Sequence, residues 1–219
     1  MSATSPELSF VVVEGPIGVG KTALARRLAA HMGASVLLES EGHNPFLERF
    51  YQDRRGGALP AQLFFLFERA RQLETLRQDD LFAATRVADF LIDKDRLFAS
   101  VNLNTEELAL YEQIQARLQI DAPQPDLVVY LQAPVDVLKT RLQQRSAKFD
   151  ALLDRRYLER VNEAYASFFH DYDASPLLIV NAAMIDPVHN GADFNALVNE
   201  ILTVPRGRRF FNPVASAIG

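Results

Sequence analysis

The sequence predicts a three-layer α/β fold, with a parallel sheet covered by helices on both faces. Three observations carry this. Five short apolar segments rich in β-branched residues recur along the chain without in–out alternation, as strands buried on both faces require. Longer segments of helical period separate them, so each return to the sheet is a right-handed crossover. A glycine-rich loop joins the first apolar segment to the first helical one.

The first strand is expected over Leu8 to Val13 (LSFVVV). The loop Gly15-Pro16-Ile17-Gly18-Val19-Gly20-Lys21-Thr22 follows and opens a helix over 21–32. Ser35 to Leu38 reads as the second strand, and 58–79 as a long helix. In that helix Leu63, Phe64, Leu66, Phe67, Ala70 and Leu73 make a wide apolar stripe, which faces a core more often than a ligand. Arg86 to Ala88 is the third strand and 105–119 a helix. The turn Ala122-Pro123-Gln124-Pro125-Asp126 leads into a fourth strand, Leu127 to Leu131, because residues before proline avoid the helical region. Helices over 135–145 and 154–171, a fifth strand at Leu177 to Val180 and a last helix over 193–202 complete the pattern. No repeat or linker interrupts it. The expected organisation is one domain over 1–204 and a basic, aromatic tail over 205–219, in which Arg206, Arg208 and Arg209 read as solvated.

A chain of 219 residues can bury roughly 70–75% of its unfolded surface and needs no covalent staples. It has no cysteine, which excludes disulfides, a thiolate zinc site and cysteine nucleophile chemistry. Its four histidines, His31, His43, His170 and His189, show no metal-ligand spacing. The formal charge of −5 argues against nucleic acid as a partner. No apolar run approaches the roughly 18 residues of a membrane span, and the first residues lack the basic start of a signal segment. A cytoplasmic protein with no membrane partner is the expectation.

The loop satisfies G-x-x-x-x-G-K-[ST] in the required strand–loop–helix context. Its backbone N–H groups can cradle phosphate oxygens, the helix N-terminus adds partial positive charge, Lys21 can reach the β- and γ-phosphates, and Thr22 can supply a hydroxyl to Mg²⁺. ATP and Mg²⁺ are therefore the expected cofactors. The N-K-x-D guanine signature is absent, which disfavours a GTP switch. The small size favours a kinase of a small acceptor. Such an enzyme needs a base for the acceptor hydroxyl, a metal ligand, and cations over the transferred group. Glu39 and Asp89 follow the second and third strands, at the carboxyl edge where α/β sheets bind ligands. Glu39 suits the base, with Glu41 as competitor, and Asp89 a metal or substrate ligand. Arg141 and Arg145, four apart, share a helix face and could close over phosphates.

From roughly Phe10 to Leu202 the chain resembles the deoxynucleoside kinases, especially the bacterial purine type. The resemblance rests on the phosphate loop, on Asn44-Pro45-Phe46-Leu47-Glu48-Arg49-Phe50-Tyr51 after the acidic residue, on Gln62 seven before Arg69, and on Asp95. It implies that Glu39 is the general base, that Gln62 and Arg69 read a nucleobase edge with Asp95 as acidic partner, and that Tyr51 and Phe65 line the nucleoside pocket. It also implies that Arg141, Arg145 and Lys148 form a lid trailed by Asp150 and Tyr157. Asp193 and Phe194 would hold the donor adenine. A five-stranded parallel sheet, Mg²⁺-dependent transfer to a 5′-hydroxyl, a purine preference and a homodimer are further implications. Two positions depart from the family pattern. Asp89-Phe90-Leu91 lacks the arginine expected after the acidic residue, so another cation must serve there or the site works differently. In the lid, Ala147 and Lys148 stand where a third arginine is common, and a lysine point charge is an imperfect substitute for a guanidinium fork. A nucleoside monophosphate kinase and an ATP-binding regulatory protein remain as alternatives.

Overall fold

The computed structural model describes residues 8–39, 44–78, 85–145, 152–203 and 207–213. In chain order the elements are β1 (Phe10–Glu14), α1 (Lys21–Met32), β2 (Ser35–Leu37), α2 (Leu47–Gln52), α3 (Arg54–Gln78), β3 (Arg86–Ala88), α4 (Lys94–Asn102), α5 (Thr105–Leu118), β4 (Leu127–Gln132), α6 (Val135–Arg145), α7 (Arg155–Asp171), β5 (Leu177–Asn181), α8 (Gly191–Leu202) and β6 (Arg208–Phe211).

The strands form one sheet in the order β2-β3-β1-β4-β5-β6, parallel at every pairing. Pleating sorts the apolar runs between two cores. On one face Val11, Val13, Val129, Leu131, Leu178 and Val180 pack against Leu24 and Leu28 of α1 and Leu197 and Ile201 of α8. On the other, Val12, Val128, Tyr130 and Ile179 meet Leu158, Val161, Tyr165 and Phe169 of α7, with Leu97 of α4 and Ala61 of α3. Stacked Tyr130 and Phe169, 4.1 Å between centroids, fill the centre of that layer. Leu66, Ala99 and Tyr111 form a smaller core joining α3, α4 and α5.

Four elements depart from the sequence expectation. The sheet has six strands rather than five, because Arg208–Phe211 of the expected tail pairs with β5 in the register Leu177↔Arg208. Arg208 is anchored there by donating to the carbonyls of His170 and Tyr172. Charged residues are common on edge strands, where they discourage further pairing, and so this strand reads as a polar tail. Next, α3 begins at Arg54, ahead of Pro60 and through Gly56 and Gly57. Tertiary packing overrides the low propensity: a Cβ at Gly57 would lie 2.4 Å from the Phe50 nitrogen, so glycine permits the close approach of α2. Finally, α2 and α4 are too short to show a clear period.

The topology sets the location of the site. Chain connections leave β1 towards β3 and β2 on one side and towards β4 and β5 on the other. The crevice at such a reversal, beyond the carboxyl ends of the strands, is where open α/β sheets bind ligands.

Candidate active site

The phosphate loop leaves β1 at this crevice. Gly15, Gly18 and Gly20 have φ of 150°, 84° and 104°, in the region closed to most side chains. A Cβ on Gly15 would fall 2.5 Å from the Leu131 carbonyl oxygen of β4, so the loop can lie against the sheet only with glycine there. The loop and its surroundings form a cleft of about 740 Å³ lined by Ile17, Gly18, Val19, Gly20, Lys21, Thr22, Arg141 and Arg145, with the segment Asp186 to His189 opposite. Pro16 precedes these residues and accepts from the Val19 N–H.

Arg141 is tied to the backbone. Its guanidinium donates to the carbonyls of Val19 (2.9 Å) and Ala182 (2.7 Å), and burial lowers its pKa. It thus braces the loop against the β5 end while lining the cleft. Arg145, one turn on, lines the same cleft and is exposed. Asp193 and Phe194 lie behind it, outside the lining. Asp193 accepts from the Asp186 N–H at 2.8 Å, and Phe194 is buried in the core beneath the Arg27 guanidinium. On that side the cleft is lined by the loop from Asp186 to His189.

At the ends of β2 and β3 the predicted acidic residues come together. The Thr22 hydroxyl donates to Asp89 Oδ2 at 2.5 Å, and the Glu39 N–H donates to Asp89 Oδ1 at 2.7 Å. Asp89 therefore links the start of α1 to the end of β2. The Glu39 carboxylate meets two cations: Oε1 pairs with Arg69, and Oε2 lies 3.4 Å from Lys94 Nζ. Arg69 also pairs with Asp95 of α4, and its planar fork spans the two carboxylates. Burial lowers the Arg69 pKa to about 10, partly countered by surrounding negative charge. Phe65 lies under the Arg69 guanidinium, 5.3 Å from it, and Phe90 at 5.7 Å.

Gln62 is buried on α3, two turns before Arg69, and Tyr51 is half-buried on α2 beside Phe50. Asn44 fixes the approach to α2 by donating to the Ala61 carbonyl and accepting from the Phe46 N–H. Glu41, Lys148 and Asp150 lie outside the described residues. Tyr157 is a core residue, with the Arg54 guanidinium over its ring.

The structure adds two charged residues that sequence reasoning passes over. Glu14 ends β1 with a fully buried side chain, and its carboxylate accepts from Gly15 N–H, Leu91 N–H and the Tyr165 hydroxyl. Lys94, also buried, lies 3.2 Å from Glu14 Oε1. A carboxylate at the end of an otherwise apolar buried strand is itself a signal, since buried charges are paired. Lys94 offers no such signal within Asp93-Lys94-Asp95-Arg96, which reads as a solvated charge run.

Chemically, this crevice joins a phosphate cradle and its lysine to a cluster of carboxylates one strand away, the arrangement a phosphoryl transfer needs. Comparison with known proteins agrees. The deoxynucleoside kinase family profile matches residues 11–204. Deoxyguanosine kinase of Bacillus subtilis is 31% identical over 88% of this chain and 95% of its own length. Deoxyadenosine/deoxycytidine kinase of the same organism is 26% identical over 91% of this chain and 94% of its own. Among solved structures, deoxyadenosine kinase from M. mycoides with bound dATP superposes with a TM-score of 0.77 at 20% identity, covering 89% of this chain and 99% of that one. The crevice, the phosphate loop and the ordered motifs thus meet in a single assignment: this chain belongs to the deoxynucleoside kinase family.

Proposed function

We propose that the protein transfers the γ-phosphoryl group of ATP to the 5′-hydroxyl of a 2′-deoxynucleoside, with a purine preferred, in deoxynucleotide salvage. The observation that carries this reading is the position of Glu39. Its backbone N–H donates to Asp89, which accepts from Thr22 at the phosphate loop, and its carboxylate pairs with Arg69, which in turn pairs with Asp95. An acceptor held against Glu39 and the Arg69–Asp95 pair would present its hydroxyl to the loop. Glu39, Asp89 and Asp95 outnumber Arg69 and Lys94 on this side, and the net negative charge suits a neutral nucleoside better than a phosphate-bearing acceptor. The purine preference is supported by the deoxyguanosine and deoxyadenosine kinases among the relatives.

In this reading Glu39 takes or orients the hydroxyl proton, and Lys21 stabilises the charge that spreads over the transferred phosphoryl oxygens. Gln62 and Arg69 face the nucleobase edge, Asp95 holds Arg69, and Tyr51 and Phe65 line the pocket. Arg145 closes over the phosphates, while Arg141 steadies the loop from behind. Asp150 belongs to the acceptor side by resemblance alone, and Asp193 supports the donor site through Asp186, with Phe194 packed beneath.

Magnesium fits the residues present. Thr22 and Asp89 offer a hydroxyl and a carboxylate at 2.5 Å, hard oxygen donors beside the phosphate cradle. When bound, the ion neutralises phosphate charge and organises the transfer geometry. A homodimer and a cytoplasmic location complete the proposal; among the described residues, no helix is long and apolar enough to cross a membrane.

The test is a Mg-ATP phosphorylation screen over the four deoxynucleosides, their ribo counterparts and their monophosphates. Product with deoxyguanosine or deoxyadenosine is expected. Turnover of monophosphates alone would replace this reading with a monophosphate kinase, and ATP binding without turnover of any acceptor would leave a regulatory protein.

A further inference from the structure

Of all the buried charges, Lys94 has the least obvious role. It is 1% exposed, at the first position of α4, and its ammonium lies between two carboxylates from different strand ends. Glu14 Oε1 is at 3.2 Å and Glu39 Oε2 at 3.4 Å. Burial lowers the lysine's pKa, partly countered by the Glu14 charge.

A structural ion pair would be the simplest account, but the hydrogen bonding argues for more. Glu14 accepts from two backbone N–H groups and a tyrosine hydroxyl without any help from Lys94. Glu39 is in the opposite situation. Its backbone is fixed by Asp89, and its carboxylate is fixed by Arg69 at one oxygen and Lys94 at the other. With both oxygens engaged, rotation about the terminal torsion is restricted, and the carboxylate plane is set. The two cations are not equivalent. Arg69 is shared with Asp95 and, in the proposed reading, also with the base of the acceptor, so its hold on Glu39 can change during turnover. Lys94 is anchored by Glu14, a residue of the central strand, and its hold persists. A compact ammonium with three donors suits this bridging position.

We propose that Lys94 is a positioning residue, whose ammonium, moored to Glu14, holds the Glu39 carboxylate at the phosphate-loop end of the sheet. It supplies from α4 the cation that Asp89-Phe90-Leu91 does not offer. This deepens the functional reading above and rests on Glu39 acting on the acceptor hydroxyl.

The experiment compares wild type, Glu39→Gln and the paired substitution Lys94→Met with Glu14→Gln, which removes the lysine without leaving Glu14 as a buried unpaired charge. The paired variant is expected to melt cooperatively, to bind ATP within about twofold of wild type, and to change KM for the deoxynucleoside by less than about threefold while kcat falls about tenfold or more. Added to Glu39→Gln, it should cause almost no further loss, because Lys94 acts through Glu39. A paired variant that keeps kcat within about threefold, or whose loss adds in full to that of Glu39→Gln, overturns the proposal. If it does not fold, Lys94→Gln with Glu14→Gln replaces it under the same criteria, and the wild type gives an independent reading. Its lysine ¹⁵N spectrum should contain one ammonium signal, lost in Lys94→Arg, that moves in Glu39→Gln and on adding deoxynucleoside; a signal indifferent to both overturns the proposal. A wild type inactive on every deoxynucleoside, or a Glu39→Gln variant with normal kcat, marks the parent reading as the part that fails, and this inference falls with it.

Discussion

The Thr22 hydroxyl donates to the Asp89 carboxylate at 2.5 Å, joining the first turn of α1 to the end of β3. The sheet places these residues together because β1 and β3 are neighbours, so the phosphate loop and the acidic strand end share one edge. If this pair holds magnesium, Asp89→Asn keeps the shape but removes the anionic ligand. The expected result is an Mg²⁺ requirement for half-maximal activity raised by about tenfold or more, measured by metal titration at fixed ATP.

Lys21 opens α1 and lines the cleft, where its charge can meet the transferred phosphate. Lys21→Ala should lower kcat by about 10²–10³, as when a preorganised transition-state donor is removed. Its melting temperature should stay near that of wild type, because the side chain is only partly buried. Steady-state kinetics and a thermal melt decide this together.

Glu39→Gln keeps size and most hydrogen bonding but cannot take a proton. It should lower kcat far more than it raises KM for the nucleoside, because a proton acceptor is needed mainly in the transition state. Near-normal kcat in the variant would remove Glu39 from the chemistry.

Gly15→Ala would drive a methyl group to 2.5 Å from the Leu131 carbonyl oxygen at φ 150°. A backbone oxygen of a central strand cannot retreat. Strain of about 2 kcal/mol lowers the melting temperature by about 4–8 °C, and the displaced loop should lose ATP affinity. Differential scanning fluorimetry with and without ATP measures both effects.

Asp126, just before β4, accepts from the Ser9 N–H and hydroxyl and from the Phe10 N–H, at 2.7, 2.7 and 2.8 Å. Burial pushes its pKa up, but these hydrogen bonds outweigh it and hold the carboxyl below the ordinary 3.8. A depressed carboxyl pKa contributes stability that is fully present above the ordinary value and is lost as pH falls through the lowered one. Asp126→Asn should therefore melt about 2 °C below wild type at neutral pH, with the gap closing under acid conditions below about pH 3.8. Melting curves across pH 2–7 show whether it closes.

The fold was largely legible because its signals are local. Val11 to Val13, Leu127 to Leu131 and Leu177 to Val180 are apolar on both faces, and only a strand inside a covered parallel sheet needs that. The loop Gly15 to Thr22 is equally local, since its glycines and lysine act where they stand in the chain. The sixth strand was hidden: Arg208 and Arg209 are solvent-exposed, as the sequence suggests, and only the edge of β5 turns their backbone into a strand. The same is true of α4, whose Asp93-Lys94-Asp95-Arg96 start resembles an exposed charge run although Lys94 and Asp95 are buried.

For the site, the residue types and their strand-end positions were readable, but their partners were not. Sequence alone determined a phosphate cradle followed by an acidic residue after each of the next two strands, because loop chemistry and strand ends depend on neighbours along the chain. Only the tertiary structure decided that Glu39 lies between Arg69 and Lys94, that Glu14 anchors Lys94, and that Phe194 packs into the core behind the phosphate-loop cleft. The reason is physical. A charge buried away from water must find its counter-charge in space, and the strand order, not the order along the chain, determines which one it meets.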